Sequence, residues 1–163
     1  MALLENGALR ADPYLRLSEE DALPDGAPAL LTLERLLREA PLRDAPTGVE
    51  LPPDADPASL AQLLDRLALV ALRLPKHKDG RAFTQARALR ERLGFRGEIR
   101  ATGHVLPDQY LFLLRCGVTT VEVPEDADLA VWDAARRLIP VAYQASVGAE
   151  APLSLLRRRL GVA

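Results

Sequence analysis

The residues of this chain best suited to chemistry gather in three short stretches. The first, Pro75-Lys76-His77-Lys78-Asp79-Gly80-Arg81, sets cationic and titratable side chains just ahead of a helical pattern. Free amides and the helix dipole at such a start favour an anion, and Gly80 would let backbone approach it closely. The second, Gly103-His104-Val105-Leu106-Pro107-Asp108-Gln109, carries the chain's other histidine beside an acid and an amide. The third, Pro124-Glu125-Asp126-Ala127-Asp128, is acidic. If the strands leading into the first two are neighbours, their loops meet in one pocket suited to a small oxyanion or phosphate group. The alternative is a solvated turn tightened by Asp79-Gly80. Asp108 reads either as a first-turn cap of its helix or as an acid, and Asp79 with His104 is a candidate acid–base pair.

Three arginines stand apart from ordinary surface charge. Arg87 and Arg90 flank the apolar pair Ala88-Leu89, and Arg100 alternates with Ile99 and Ala101 in a strand pattern that should be buried. Each needs a partner, with Asp79, Glu98 and Asp108 as candidates. They read either as an internal arginine–carboxylate network or as a guanidinium lining for an oxyanion. Cys116, the one cysteine, precedes Gly117 at a helix end. Packing is its default role, since a reactive thiol needs electropositive surroundings.

The elements that position these residues follow from apolar period. Leu3-Leu4 and Tyr14–Leu17 read as short strands in an otherwise irregular stretch, 1–28. Residues 32–40 read as an amphipathic helix capped by Thr32 and stopped by Pro41. Val49–Leu51 is a short strand, Ala58–Arg66 a helix, and Leu67–Leu74 a strand covered on both faces. Thr84–Leu93 reads as a helix capped by Thr84, with Phe83 stapled to Ala88 and Gly94 just past its end. Glu98–Thr102 is a strand, Pro107–Arg115 a helix, Val118–Val123 a strand and Asp128–Leu138 a helix. Val141–Ala145 and Leu153–Leu160 complete the pattern as a strand and an Arg-rich helix. Strands alternating with helices of this length predict an α/β fold of repeated βα units with a mainly parallel sheet, either open or a half-barrel. A full eight-unit barrel takes about 250 residues, more than the 163 present. Residues 1–45 read as an irregular N-terminal extension with one helix packed on the main domain, and 46–163 as the α/β domain.

Composition excludes several classes. A net charge of −2 offers no global field for nucleic acid. One cysteine cannot supply a disulfide within the chain, a four-cysteine zinc site or a cysteine-ligated cluster. No metal site is expected. No G-x-G-x-x-G, G-x-x-x-x-G-K-[ST], C-x-x-C or G-x-S-x-G is present, so no cofactor is indicated by motif. No stretch approaches the 18 or so apolar residues of a membrane span, and Met1–Asn6 lacks the apolar run of a signal peptide. A cytoplasmic protein is the expectation.

The run Lys76-x-x-Asp79-Gly80-Arg81-Ala82-Phe83-Thr84-Gln85-Ala86-Arg87-x-Leu89-Arg90, then Gly97-Glu98-Ile99-Arg100-Ala101-x-Gly103-x-Val105-x-x-Asp108-Gln109, then Arg115-Cys116-Gly117, resembles the bacterial domain-of-unknown-function family 934. The likeness spans residues 75–117 and fixes residue identities across three consecutive βα units. It implies genes beside those of sulfite reductase and phosphoadenylylsulfate reductase, hence a role in assimilatory sulfite reduction. Either enzyme is thereby an expected partner, and a homo-oligomer is compatible with the pattern. The role implied is an accessory one, binding an oxyanion or docking on a reductase, with a direct oxidoreductase or a scaffold without a ligand site as the alternatives. The chain has Leu74-Pro75-Lys76-His77 where a Phe-Pro-x-Phe-like run is expected, and His104 where aspartate is common. Those departures move the weight from the histidines to Asp79, Arg81, Arg87, Arg90, Arg100, Asp108 and Gln109, with Lys76 and His104 retained as candidates. Arg81, Arg100 and Asp108 are expected around one oxyanion cavity at the strand carboxyl ends.

Overall fold

The computed structural model describes residues 1–39, 44–139 and 146–147. The expected strand at 141–145 and helix at 153–160, like the end of the first helix at 40, lie outside the described residues. The chain opens with a hairpin of β1 (Ala2–Glu5) and β2 (Ala8–Arg10), then β3 (Leu15–Arg16) and β4 (Ala29–Thr32). After these come α1 (Leu33–Arg38), β5 (Thr47–Leu51), β6 (Leu69–Leu74), α2 (Arg81–Arg87), β7 (Glu98–Gly103), α3 (Pro107–Arg115), β8 (Thr120–Val123) and α4 (Leu129–Arg137).

All eight strands form one sheet in the order β2-β1-β8-β7-β6-β5-β4-β3. Strands β3 to β8 are parallel and adjacent in chain order, while β1 pairs antiparallel with β8 and β2. Residues 67–123 thus hold three parallel strands with helices between them, as the alternation predicts. Because each crossover steps one strand over in the same direction, every helix falls on the same face. There Leu36, Ala82, Ala86, Leu89, Tyr110, Leu113 and Trp132 pack on Val49, Leu51, Val70, Leu72, Leu74, Ile99, Ala101, Val121 and Val123.

The sheet curls because the chain forces it to. Laid flat, eight strands about 4.8 Å apart would separate the two outermost by about 34 Å. Yet the outermost strands, β2 and β3, are joined only by residues 11–14, a reach of about 18 Å at most. The sheet is therefore a half-barrel, and the 11–14 crossing lays Asp12 and Tyr14 across its concave face.

Several local expectations change. Within 1–28 the two expected strands form as β1 and β3, and β2 is added to them: Asn6 and Gly7, both at positive φ (51° and 86°), make the two-residue turn of the β1–β2 hairpin, while 11–14 and 17–28 hold no helix or strand. Ala29–Thr32, ahead of the expected helix, is a buried strand, β4. Thr32 does cap α1, accepting from the Arg35 N–H at 3.2 Å. Ala58–Arg66 is two 3₁₀ turns, Pro57–Leu60 and Leu64–Arg66, rather than an α-helix. A 3₁₀ winding rises about 2.0 Å per residue against about 1.5 Å, which lets this short connection return to the start of β6. Helix α2 begins three residues before Thr84, which consequently caps nothing, and Phe83 sits inside the helix with its N–H on the Gly80 carbonyl. Gly80 is the N-cap, and Asp79, one residue outside, accepts the Arg81 N–H on Oδ1 and so satisfies one of the free donors of the first turn. The helix then widens into a π-helical turn over Ala88–Arg92 before Gly94.

Among the described residues, no helix is long and apolar enough to cross a membrane.

Candidate functional site

Strands β6 and β7 pair along their whole length, Leu69↔Glu98 to Leu74↔Gly103, and so bring the first two loops together. The His104 N–H donates to the Leu74 carbonyl at 2.8 Å. Gln109 completes the junction: its Oε1 accepts from the Leu106 N–H at 3.0 Å, and its Nε2 donates to the His77 carbonyl at 2.7 Å. One side chain thus caps α3 and ties it to the preceding loop. Lys76, His77, His104 and Asp108 are exposed around this seam.

Asp79 and Arg81 face each other. The Arg81 guanidinium forks onto the carboxylate, Nε to Oδ1 at 2.9 Å and Nη2 to Oδ2 at 2.6 Å. The side-chain and backbone hydrogen bonds from Arg81 hold the Asp79 carboxyl at a pKa of about 2, below the ordinary 3.8. A carboxyl lowered in the folded state adds stability above its ordinary pKa and loses it as pH falls towards the lowered one. The window here is pH 3.8 down to about 2. In a carbon-detected titration Asp79 should therefore report a midpoint near 2. Arg81→Gln should return it towards the ordinary value, and an unchanged midpoint in that variant would assign the shift elsewhere.

The remaining arginines disperse. Arg87 lies on the surface in an i,i+4 pair with Glu91 at 2.6 Å. Arg90 sits at the opposite, amino-terminal edge of the sheet. It donates to the carbonyls of Phe95 (2.7 Å), Gly97 (2.8 Å) and Gly117 (3.0 Å), and stacks over the Phe95 ring at 5.6 Å. It fastens the loops that enter β7 and β8.

Arg100 is fully buried on the concave face, where it meets Asp12 at 2.8 Å and Glu98 at 3.0 Å and lies 5.5 Å from the Tyr14 ring centre. Glu98 also accepts from Thr120 Oγ1 at 2.6 Å and approaches Arg10 at 3.5 Å. Further along, Arg16 of β3 reaches Glu122 of β8 across the inside of the curl at 2.7 Å, and it and Arg73 share Glu50 at 3.6 and 3.9 Å. Arginine and carboxylate alternate throughout, so the inner face is close to charge-balanced. Burial pushes the Glu122 carboxyl up against the opposing pull of Arg16 and Arg100, and raises the Tyr14 phenol as well. Of this lattice the sequence pointed to Arg100 and Glu98. Asp12, Tyr14, Arg16 and Glu122 carried no signal beyond the polar alternation of Val121-Glu122-Val123, because contacts across a curl depend on closure, not on spacing.

Arg81, Arg100 and Asp108 do not surround one cavity. Arg100 points to the concave face, and Arg81 is engaged with Asp79 at the helix start. Asp108 lies on the helix-covered side, in a groove of about 570 Å³ with Leu106, Phe112, Val131, Leu138 and Ile139 between α3 and α4. At the carboxyl ends of β4 to β6 a second cleft of about 560 Å³ sets Glu19, Glu34, Glu50 and Asp54 around Arg73, with Leu33, Pro52 and Ala55 as its apolar wall. Among the described residues no three histidine, cysteine or carboxylate groups are placed to hold a metal ion.

Cys116 is the C-cap of α3 and packs, half-buried, against the core. Burial pushes its thiol up, opposite to what a nucleophilic or redox cysteine needs. A thiol-specific reagent at pH 7 should label it far more slowly in native than in unfolded protein. Native labelling as fast as that of an exposed cysteine would contradict this placement.

The model of a family described as bacterial protein of unknown function (DUF934) matches residues 48–154. The chain belongs to this family. No curated protein and no solved structure matches it. Most residues that carry the DUF934 resemblance are spent on architecture. Asp79 satisfies a first-turn donor of α2, and Gln85 Nε2 ties that helix to the carbonyls of Pro52 and Ala55 at 2.8 and 2.9 Å. Arg90, Arg100 and Gln109 each bind groups of other elements, and Arg115 Nη2 holds the Ile139 carbonyl at 3.0 Å. Lys76, His104 and Asp108 are left facing solvent or the α3–α4 groove.

Proposed function

We propose that this protein is a cytoplasmic accessory component of assimilatory sulfite reduction that works alongside sulfite reductase or phosphoadenylylsulfate reductase. The observation that carries the reading is membership of DUF934 over residues 48–154, together with the sulfur-assimilation setting its motif residues imply. Two features favour an accessory role over a direct thiol redox one. The single cysteine has its thiol raised by burial, and the motif arginines are bonded to the protein's own carboxylates and carbonyls. Deletion of the gene should slow growth on sulfate and on sulfite but not on sulfide or cysteine. The tagged full chain should retain subunits of one of the two reductases from an extract of sulfate-grown cells. Equal growth of the deletion strain on all four sulfur sources would overturn the proposal.

A further inference from the structure

Five of the ten large apolar side chains exposed among the described residues, Leu106, Phe112, Val131, Leu138 and Ile139, meet in the groove of about 570 Å³ between α3 and α4. We infer that this groove docks a short amphipathic helix of the partner reductase, its apolar stripe in the groove and a lysine or arginine near one end against Asp108. The inference deepens the accessory role proposed above and rests on it.

The first argument is the concentration of apolar surface. Exposed apolar side chains scattered singly are ordinary, whereas a contiguous patch with a polar rim marks an interaction site. Leu111 lies nearly buried beneath this one, while Phe112 on α3 and Val131 on α4 are each about half exposed. The other five exposed apolar residues are spread over the opposite end of the sheet and the segment 1–38.

The second argument is shape. On α4, Val131, Ala135 and Leu138 follow one another at i, i+4 and i+7, and on α3 Asp108, Leu111 and Phe112 stand at i, i+3 and i+4. The lining therefore runs along two turns of α4, about 10 Å. Both helices follow adjacent parallel strands and start at the same edge of the sheet. A groove between two such helices seats a third of two to three turns, anchored by apolar side chains at i, i+3 or i+4, and i+7.

The third argument is charge, and it decides what the docked helix must carry. Asp108 is the one charged residue of the lining, and among the described residues its carboxylate has no hydrogen bond or ion pair. Asp126, exposed in the turn ahead of α4 at the same end of the two helices, is likewise unpaired among them. An apolar helix laid over Asp108 would strip water from the carboxylate and return nothing, a cost that a cation on the partner removes. Lys76 and Lys78 do not fill that place, because they follow β6 on the far flank of α3 and line no part of the groove. Asp108 is also a motif position that the fold leaves unused.

Purified subunits of sulfite reductase and of phosphoadenylylsulfate reductase are passed over the immobilised full chain, and dissociation constants are read by interferometry. One of them is expected to bind wild type, with Phe112→Asp and Val131→Asp each weakening binding by about thirtyfold or more. Asp108→Lys should weaken it by about tenfold, and Asp108→Asn by less. Leu37→Asp, at a half-exposed position of α1 away from the groove, should bind as wild type does. Thermal unfolding establishes that each variant is folded, and Val131→Asp carries the test if Phe112→Asp is not. Equal binding by wild type and the groove variants would overturn the docking site and leave the pathway reading standing. Failure of wild type to bind either reductase would overturn the docking site too, while growth of the deletion strain judges the pathway separately. A wild-type dimer in light scattering that Phe112→Asp dissociates would assign the groove to a second copy of the chain instead.

Discussion

Replacing Arg100 with alanine should destabilise the protein by about 3 kcal/mol, seen as a drop in melting temperature of about 6–12 °C for a chain of this size. The guanidinium is fully buried, while Asp12 is 37% and Glu98 only 12% exposed. Removing Arg100 leaves the Glu98 carboxylate with little water and only Thr120 and the more distant Arg10 as partners. That stranded charge, more than the lost attraction, sets the cost. Tyr14 loses the cation beneath its ring, and Asp12 loses the anchor of the crossing from β2 to β3. Asp12→Asn should cost less than about 1 kcal/mol, because its carboxylate already sees solvent. Arg100→Met combined with Glu98→Gln should recover part of the loss, since the uncompensated charge is then gone. Urea denaturation of the three variants decides. A loss below about 1 kcal/mol for Arg100→Ala would mean that water or another cation already serves Glu98.

That lattice also marks where sequence reading stops. The βα units from β6 to α4 were legible because each rests on a local pattern: the apolar run of Leu69–Leu74, Pro107 at a first turn, Asp128 ahead of an amphipathic stretch. The parallel order followed from crossover length alone. By contrast, the charged inner face comes from residues brought together by closure, Asp12 with Arg100 and Arg16 with Glu122, more than eighty positions apart. An alternating Glu98-x-Arg100 says only that two charges share a face. It does not say whether that face is water, a ligand or the opposite wall of a curl. The misreading of Thr84 has a different origin. Thr84 is a good cap by type, but the helix starts at Arg81 with Gly80 as its N-cap, and the fork of Arg81 onto Asp79, one residue outside the helix, is a contact the cap rules do not contain. As for the oxyanion cavity expected from the motif, its loops do meet, but the side chains leave the junction on both faces of the sheet.

The junction itself yields the other large effect, and two glycines of the same motif region separate it cleanly. Gly103→Ala should cost about 3 kcal/mol or more, while Gly80→Ala should be neutral or stabilising by up to about 1 kcal/mol. Gly103 ends β7 at φ +89°, and a Cβ there would lie 2.4 Å from the Leu74 carbonyl oxygen. That oxygen is backbone at the end of the neighbouring central strand and already accepts from the His104 N–H, so it has no easy way to yield. Moving it pulls β6 away from β7 at their last register pair and opens the span that Gln109 closes onto His77. Gly80 is at φ −84° with nothing within 4 Å of a built Cβ, so alanine meets no strain and lowers the entropy of the unfolded chain. The difference between the two variants, read by chemical denaturation, isolates packing at the junction from the general effect of removing a glycine. Faster amide exchange at His104 and Leu106 should accompany the Gly103 substitution and be absent from the other. Equal stabilities for the two variants would mean that the carbonyl of Leu74 moves freely, and that the β6–β7 edge is not the rigid seam its contacts describe.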